Sequence, residues 1–288
     1  MKYLKILTIT LISNWVLEIW VRIPTCYPLI NKNMKILICP DIHCRDFYKP
    51  VLNVKDIPII FLGDYLDPYP DEGFSFEDGL ANLEEIINFA KNNSNVTLLA
   101  GNHCLHYIWE DYGCSRFNKK FYNDAHTLFR ENLELFKPFK QFDEVILSHA
   151  GISKGWIDLN KQQDFIPKDI NVNELLNWID SEWNKECSYE KLLHKMWYTD
   201  FRSTIFSIGC NRGGESQYGG PFWCDASEML NPFPVIQIFG HTRLNFKGIF
   251  VNISTIRGTK HVPAYCIDSS EIFEFDTETK ELKNYGKD

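Results

Sequence analysis

None of the nine cysteines stands in a C-x-x-C pair, and their number is odd. Scattered thiols of this kind argue against a disulfide framework and a structural zinc knuckle, and for a reducing, cytoplasmic setting. Positive charge is also short. Thirty Lys and Arg against 38 Asp and Glu give a formal net charge of −8. Such a chain has no basic footprint for gripping a phosphate backbone, so stable nucleic-acid binding is not expected. A phosphorylated substrate would need local positive charge from arginines or bound cations. Internal repeats, low-complexity tracts and interdomain linkers are absent after Met34. No long uninterrupted apolar run occurs either, since residues 6–21 are broken by Asn14 and Glu18. That stretch falls below the roughly 20 apolar residues that span a bilayer. Ile23-Pro24-Thr25-Cys26 is a poor cleavage or lipidation site. The preferred reading of residues 1–33 is an extension upstream of a true start at Met34, the alternative a signal or anchor. Membrane attachment is expected only if that segment forms a real anchor.

What remains is a chain of 288 residues, 44% hydrophobic, 24% charged and 15% aromatic, long enough to bury a sizeable core. Residues 34–288 read as one domain. Short β-prone runs at 35–39, 57–62, 96–100, 145–147 and 235–239 read as buried strands. Ser75, with Asp78 three residues on, opens a helix whose stripe is Leu80, Leu83, Ile86, Ile87 and Ala90. Further helices are expected at 120–136, 172–186 and 189–198, and strands at 249–253, 264–267 and 272–275. A Gly-rich loop at 209–220 reads as a substrate-facing insertion. Strands alternating with helices, then a strand-rich end, predict an α/β fold: a layered α/β/β/α sandwich with mixed sheets. Ligands of such sheets sit at the carboxyl ends of the strands.

Each of the five buried strands is followed by a potential metal ligand. Asp41 and His43 are two apart and would point the same way on an extended strand end. Asp64 offers an anionic oxygen able to bridge two ions, Asn102 an amide oxygen, and His149 and His241 imidazole nitrogens. This mixed N/O set without thiolate suits Mn, Fe, Zn or Ni, with Mn preferred, better than Ca or Mg. Two divalent ions about 3.5–4 Å apart would polarise a phosphoryl group and generate a hydroxide near neutral pH.

In order, Asp41-Ile42-His43, Gly63-Asp64-Tyr65-Leu66-Asp67, Gly101-Asn102-His103, His149 and Gly240-His241 resemble the five signatures of the calcineurin-like metallophosphoesterase superfamily. The resemblance implies that Asp41, His43 and Asp64 hold a first metal and Asp64, Asn102, His149 and His241 a second. It further implies that His103 is the general acid and Asp67 the carboxylate that orients it. A paired carboxylate favours the imidazolium that donates a proton, which fits those roles physically. Thr242-Arg243, where several branches carry a second His, is closer to the phosphoprotein-phosphatase-like pattern. That branch, however, follows Gly-Asp-x-x-Asp with an arginine and Gly-Asn-His with Glu, where this chain has Pro68 and Cys104. Arg212 and Arg243 are the candidates to replace the lost phosphate grip. Arg45 and Arg116 rank lower, and His106, His126 and His194 read as surface or packing residues. The Phe222-Trp223-Cys224-Asp225 segment faintly resembles a Trp-x-Asp segment of the same branch.

The resulting expectation is dinuclear hydrolysis of a phosphate ester, preferably a phosphomonoester, by a metal-bridging hydroxide. A phosphodiester or dinucleoside polyphosphate is the alternative, and a non-catalytic scaffold on the same fold the alternative of another class. The substrate would be a phosphorylated small molecule, a nucleotide or a phosphoprotein.

Overall fold

The computed structural model describes residues 8–10, 16–18, 34–109, 114–188, 204–243, 251–252 and 262–286. The chain divides into two compact units, Met1–Asn33 and Met34–Asp288. In the first, strands β1 (Thr8–Thr10) and β2 (Val16–Glu18) pair antiparallel. No helix among the described residues is long and apolar enough to cross a membrane.

The second unit is built on two mixed sheets. One contains β3 (Lys35–Cys39), β4 (Ile59–Phe61), β5 (Val96–Leu99), β6 (Phe136–Lys137), β12 (Phe273–Asp276) and β13 (Leu282–Asn284), in the spatial order β13-β12-β3-β4-β5-β6. The other contains β7 (Phe139–Phe142), β8 (Val145–Ser148), β9 (Ile236–Phe239), β10 (Val251–Asn252) and β11 (Ala264–Cys266), in the order β10-β11-β9-β8-β7. Strands β3 to β6 run parallel, as do β8, β9 and β11. Parallel strands need crossovers, and these carry helices α1 (Phe76–Asn92), α2 (Asn102–Ile108), α3 (Tyr122–Arg130), α4 (Lys154–Gln162) and α5 (Val172–Ser188).

The two-residue period of a strand explains the layering. Ile36, Ile38, Ile60, Phe273 and Phe275 of the first sheet meet Val145, Leu147, Ile236 and Ile238 of the second in one apolar cluster. Their alternates Leu37, Cys39, Ile59 and Phe61 face the other way and pack with Leu83, Ile86 and Ile87 of α1. Ile146, on the outer face of the second sheet, joins the same outer cluster as Trp156 and Ile157 of α4. Each fully buried side chain of this type stabilises the fold by about 1.5–3 kcal/mol.

Helix α1 begins where Ser75 and Asp78 predict it, with Asp78 N donating to Ser75 Oγ at 3.0 Å. The helix expected over 120–136 is shorter. Helix α3 ends at Arg130, and the apolar Leu133–Leu135 turn runs into β6. Pro138 keeps Lys137 extended and separates β6 from β7. Strands β1, β2, β6, β7 and β13 and helices α2 and α4 are additions to the expected elements. The predicted helix over 189–198 and most of the strand over 249–253 lie outside the described residues.

Candidate active site

Five strand ends deliver the expected residues to one buried place. Asp41 and His43 follow β3, Asp64 follows β4, Asn102 and His103 open α2 after β5, His149 follows β8 and His241 follows β9. All are 9% exposed or less. Asp41 and His43 converge through a turn, not along the extended strand that their spacing suggests. His43 and Cys44 have φ of 43° and 65°, and His43 N donates to Asp64 O at 2.6 Å, tying the loop after β3 to the loop after β4. Nine non-glycine residues among those described have positive φ, and six of them, His43, Cys44, Asp64, Asp67, Arg116 and His241, surround this site. Such backbones cost of order 1–3 kcal/mol each and persist only where the surroundings hold them. The glycines before the ligands have a steric cause. A Cβ on Gly101 would collide with Asp64, and one on Gly240 with Asp41.

Asp64 is shared by two donor groups, one with Asp41 and His43, the other with His149 and His241. Within each group the ligand atoms lie within 4.8 Å of one another. His43 Nδ1 donates to Leu66 O and His149 Nδ1 to Leu62 O, both at 3.0 Å. Burial, chiefly, keeps both imidazoles neutral by lowering their pKa, and His241 likewise, well below the usual value for His43 and His241. A neutral ring has one N–H, so these backbone bonds turn the Nε2 lone pairs of His43 and His149 inward. His149 Nε2 then faces Asn102 Oδ1 at 2.9 Å, His241 Nδ1 at 3.1 Å and Asp64 Oδ2 at 3.4 Å. The Asn102 and Asp64 oxygens are acceptors and face the Nε2 lone pair with no proton between them, whereas His241 Nδ1 can donate to it in one tautomer. His43 Nε2 is 3.7 Å from Asp64 Oδ2 and 4.0 Å from Asp41 Oδ2. His241 Nε2 is buried without a hydrogen-bond partner. Burial and then the charge of Asp64 push Asp41 well above the ordinary carboxylate range, although His241 N donates to both of its oxygens. Divalent cations would remove each of these conflicts, and the donor set fits them.

A second constellation adjoins the first. His103 Nδ1 lies 2.6 Å from Asp67 Oδ2, and the Tyr107 hydroxyl donates to Asp67 Oδ1 at 2.6 Å. Burial works against the imidazolium of His103, but Asp64 and Asp67 outweigh it and raise its pKa to about 10. Asp67 is also buried, which works against its charge, yet His103 and His106 hold it below the usual range. His106 Nε2 is 2.8 Å from Asp67 Oδ2, so this residue belongs to the site. Its spacing three residues after His103 on α2 puts both on one helix face, a signal present in the sequence. Cys114 closes the group and accepts from Asn102 Nδ2 at 3.2 Å. Burial opposes its thiolate, but the two histidines draw its pKa down.

Arg116 is the further residue that its sequence context does not reveal. Its Nη1 donates to Asp67 O at 2.7 Å, and its Nη2 lies 3.2 Å from His103 Nε2. The guanidinium stands over the Tyr69 ring at 3.8 Å, and Arg243 stands over the same ring at 4.2 Å. Arg243 also pairs with Glu72 at 2.9 Å. Arg212 pairs with Asp225 at 2.8 Å, and its Nη2 donates to Thr242 Oγ1 at 2.6 Å, joining the Gly-rich loop to the His241 loop. Arg45 is buried and bound to Glu72 at 2.6 Å. Of the histidines read as surface or packing residues, His126 packs through its contact with Tyr107 O at 2.8 Å, whereas His194 lies outside the described residues. Asp268, two residues past β11, is fully buried with neither carboxyl oxygen hydrogen-bonded, and burial followed by Asp41 pushes its pKa well above the usual range.

The family profile described as calcineurin-like phosphoesterase matches residues 34–244. Among solved structures, a cold-active protein tyrosine phosphatase has 15% identity and a TM-score of 0.51 over 87% of this chain and 78% of its own. A cold-active protein-tyrosine phosphatase of a psychrophilic Shewanella species has 15% identity and a TM-score of 0.48, with coverage of 87% and 80%. A serine/threonine phosphatase of Saccharomyces cerevisiae has 22% identity and a TM-score of 0.28, with coverage of 50% and 48%. Comparison with curated proteins finds no match.

Proposed function

The chain belongs to the calcineurin-like phosphoesterase family and is a phosphoester hydrolase; on that premise we propose that its buried centre holds two divalent transition-metal ions and that its substrate is a phosphomonoester. Asp41, His43 and Asp64 would hold one ion, and Asp64, Asn102, His149 and His241 the other. When bound, the ions supply Lewis-acid polarisation of the phosphoryl group and activation of water. Manganese is the preferred metal, and iron, zinc and nickel suit the same donors.

The observation that carries this reading is the adjacency of two different devices. The acceptor oxygens of Asn102 and Asp64 crowd the His149 Nε2 lone pair, and an imidazolium is favoured at His103 beside them. A cationic imidazole held at 2.6 Å by a buried carboxylate is a proton donor. In phosphate-ester hydrolysis the group that needs a proton is the departing alkoxide. Asp67 orients His103 and stabilises its charged form, and the Tyr107 hydroxyl keeps Asp67 in place. Arg116 adds a fixed positive charge beside His103 and supplies the grip on phosphoryl oxygens that Pro68 cannot. Arg212 and Arg243 are available at the rim, each already tied to a carboxylate.

The test is hydrolysis of para-nitrophenyl phosphate against its bis-ester, with Mn restored to chelated protein and bound metal counted. Turnover of the monoester with two ions per chain is expected. Preference for the bis-ester replaces the monoesterase reading with a diesterase one, and metal-free protein with no turnover of either ester defeats the dinuclear reading.

A further inference from the structure

We propose that His103, His106 and Cys114 form a third metal site, selective for zinc-like ions, whose occupation switches the enzyme off by capturing the proton donor. The inhibitory part rests on the assignment of His103 as that donor, whereas the site itself does not.

The ligand atoms of the three residues lie within 4.8 Å of one another. Two imidazoles and a thiolate are a zinc donor set, soft enough to prefer zinc over the hard ions that carboxylates select. The chain presents it by simple geometry. His103 and His106 stand one turn apart on α2, and Cys114 comes from the segment that leads away from that helix. His106 points to a ligand independently of this spacing. The residue is only 1% exposed, and neither of its ring nitrogens makes an aligned hydrogen bond, although Nε2 lies close to Asp67. Cys114 is partly exposed, which gives an ion a route in.

The donors also separate this site chemically from the dinuclear centre, which contains no sulfur. Three protein ligands leave a fourth position for Asp67 or water. Binding takes a lone pair of His103, so the ion and the proton to be donated cannot both occupy that ring nitrogen. The thiol releases its proton on binding, which makes the affinity rise with pH.

Cobalt(II) reports on this site, because thiolate ligation gives a charge-transfer absorption that nitrogen and oxygen ligands do not. Full-length protein loaded with Mn would be titrated with cobalt(II), and separately with zinc while monoester turnover is followed. The expected result is a thiolate–cobalt band, one additional ion per chain, and zinc inhibition that follows its occupancy. Cys114→Ser should remove the band, and both it and His106→Gln should weaken zinc inhibition by at least about 10–100-fold. Absence of the band, or its persistence in Cys114→Ser, overturns the site. A band with full activity leaves the site standing and overturns both the inhibition and the role of His103. Equal zinc inhibition of wild type and both variants assigns the effect to the dinuclear centre and overturns the proposal.

Discussion

Asp67→Asn removes one charge at the point where three side chains meet and changes little else. The carboxylate is fully buried, 2.6 Å from His103 Nδ1, 2.8 Å from His106 Nε2 and 2.6 Å from the Tyr107 hydroxyl. Asparagine keeps the volume and can still accept from Tyr107, but its amide group no longer stabilises an imidazolium. A carboxylate at this range shifts a partner by about 1–3 pH units, equivalent to about 1.4–4 kcal/mol. The sign follows from the direction at His103. Its pKa is raised, so the protonated donor persists into alkaline solution and is lost only as pH climbs past the raised value. Without Asp67 the loss comes earlier, and the alkaline limb of kcat/KM should fall by about 1–3 pH units. At neutral pH an alkyl phosphate, whose leaving group needs the proton, should lose about 10²–10⁴-fold in rate, or about 2.7–5.4 kcal/mol of transition-state stabilisation. An activated aryl phosphate should lose far less. The assay is a pair of pH–rate profiles with the two esters, accompanied by metal analysis showing unchanged content. An unmoved alkaline limb together with equal losses on both esters refutes the reasoning.

Other perturbations separate the remaining parts. Asp64→Asn should empty both metal positions and abolish turnover, so metal counted by emission spectroscopy should drop from two ions towards none, whereas one retained ion would show that the residue is not shared. Arg116→Ala should raise KM for the monoester and lower kcat, with a loss of about 2–3 kcal/mol for a charge-assisted contact; steady-state kinetics showing a loss in neither parameter removes it from the site. Ile38→Ala, in the fully buried layer between the sheets, should destabilise by about 2–5 kcal/mol, seen as a lower urea midpoint at unchanged slope.

The metal-ligand candidates were legible because each sits directly after an apolar run, where a strand must stop and a sheet opens. The layering was legible for a related reason, since alternating Ile and Leu in β3 mark two buried faces. Other parts leave weaker traces. Strand β7 lies at the edge of its sheet, and its residues are all half-buried, so no clean alternation identifies it. The turn at His43 has no signature in composition, because its left-handed backbone is imposed by hydrogen bonds to the neighbouring loop. His106 carried a readable clue in its helical spacing from His103. Arg116 carried none, since its place beside His103 depends on a loop conformation with φ of 64°. Asp268 follows the same strand-end rule as Asp41 and Asp64, but it comes late in the chain, after β11, and no glycine precedes it as Gly63 precedes Asp64.

The donors come from opposite sides of the sandwich. Asp41, His43, Asp64 and Asn102 hang from the six-stranded sheet, and His149 and His241 from the five-stranded one. The His241 amide reaches Asp41 across a separation of 200 residues. Ions held between them would act as a rivet through both sheets, one that an unfolded chain cannot assemble. Their binding free energy is then also conformational free energy. At a concentration 100-fold above its dissociation constant, one ion adds about 2.7 kcal/mol to the folded state. On the proposed occupancy, metal supply would govern how stable the fold is as well as whether it turns over substrate. A cell short of the ion would lose the enzyme to unfolding as well as to inactivity.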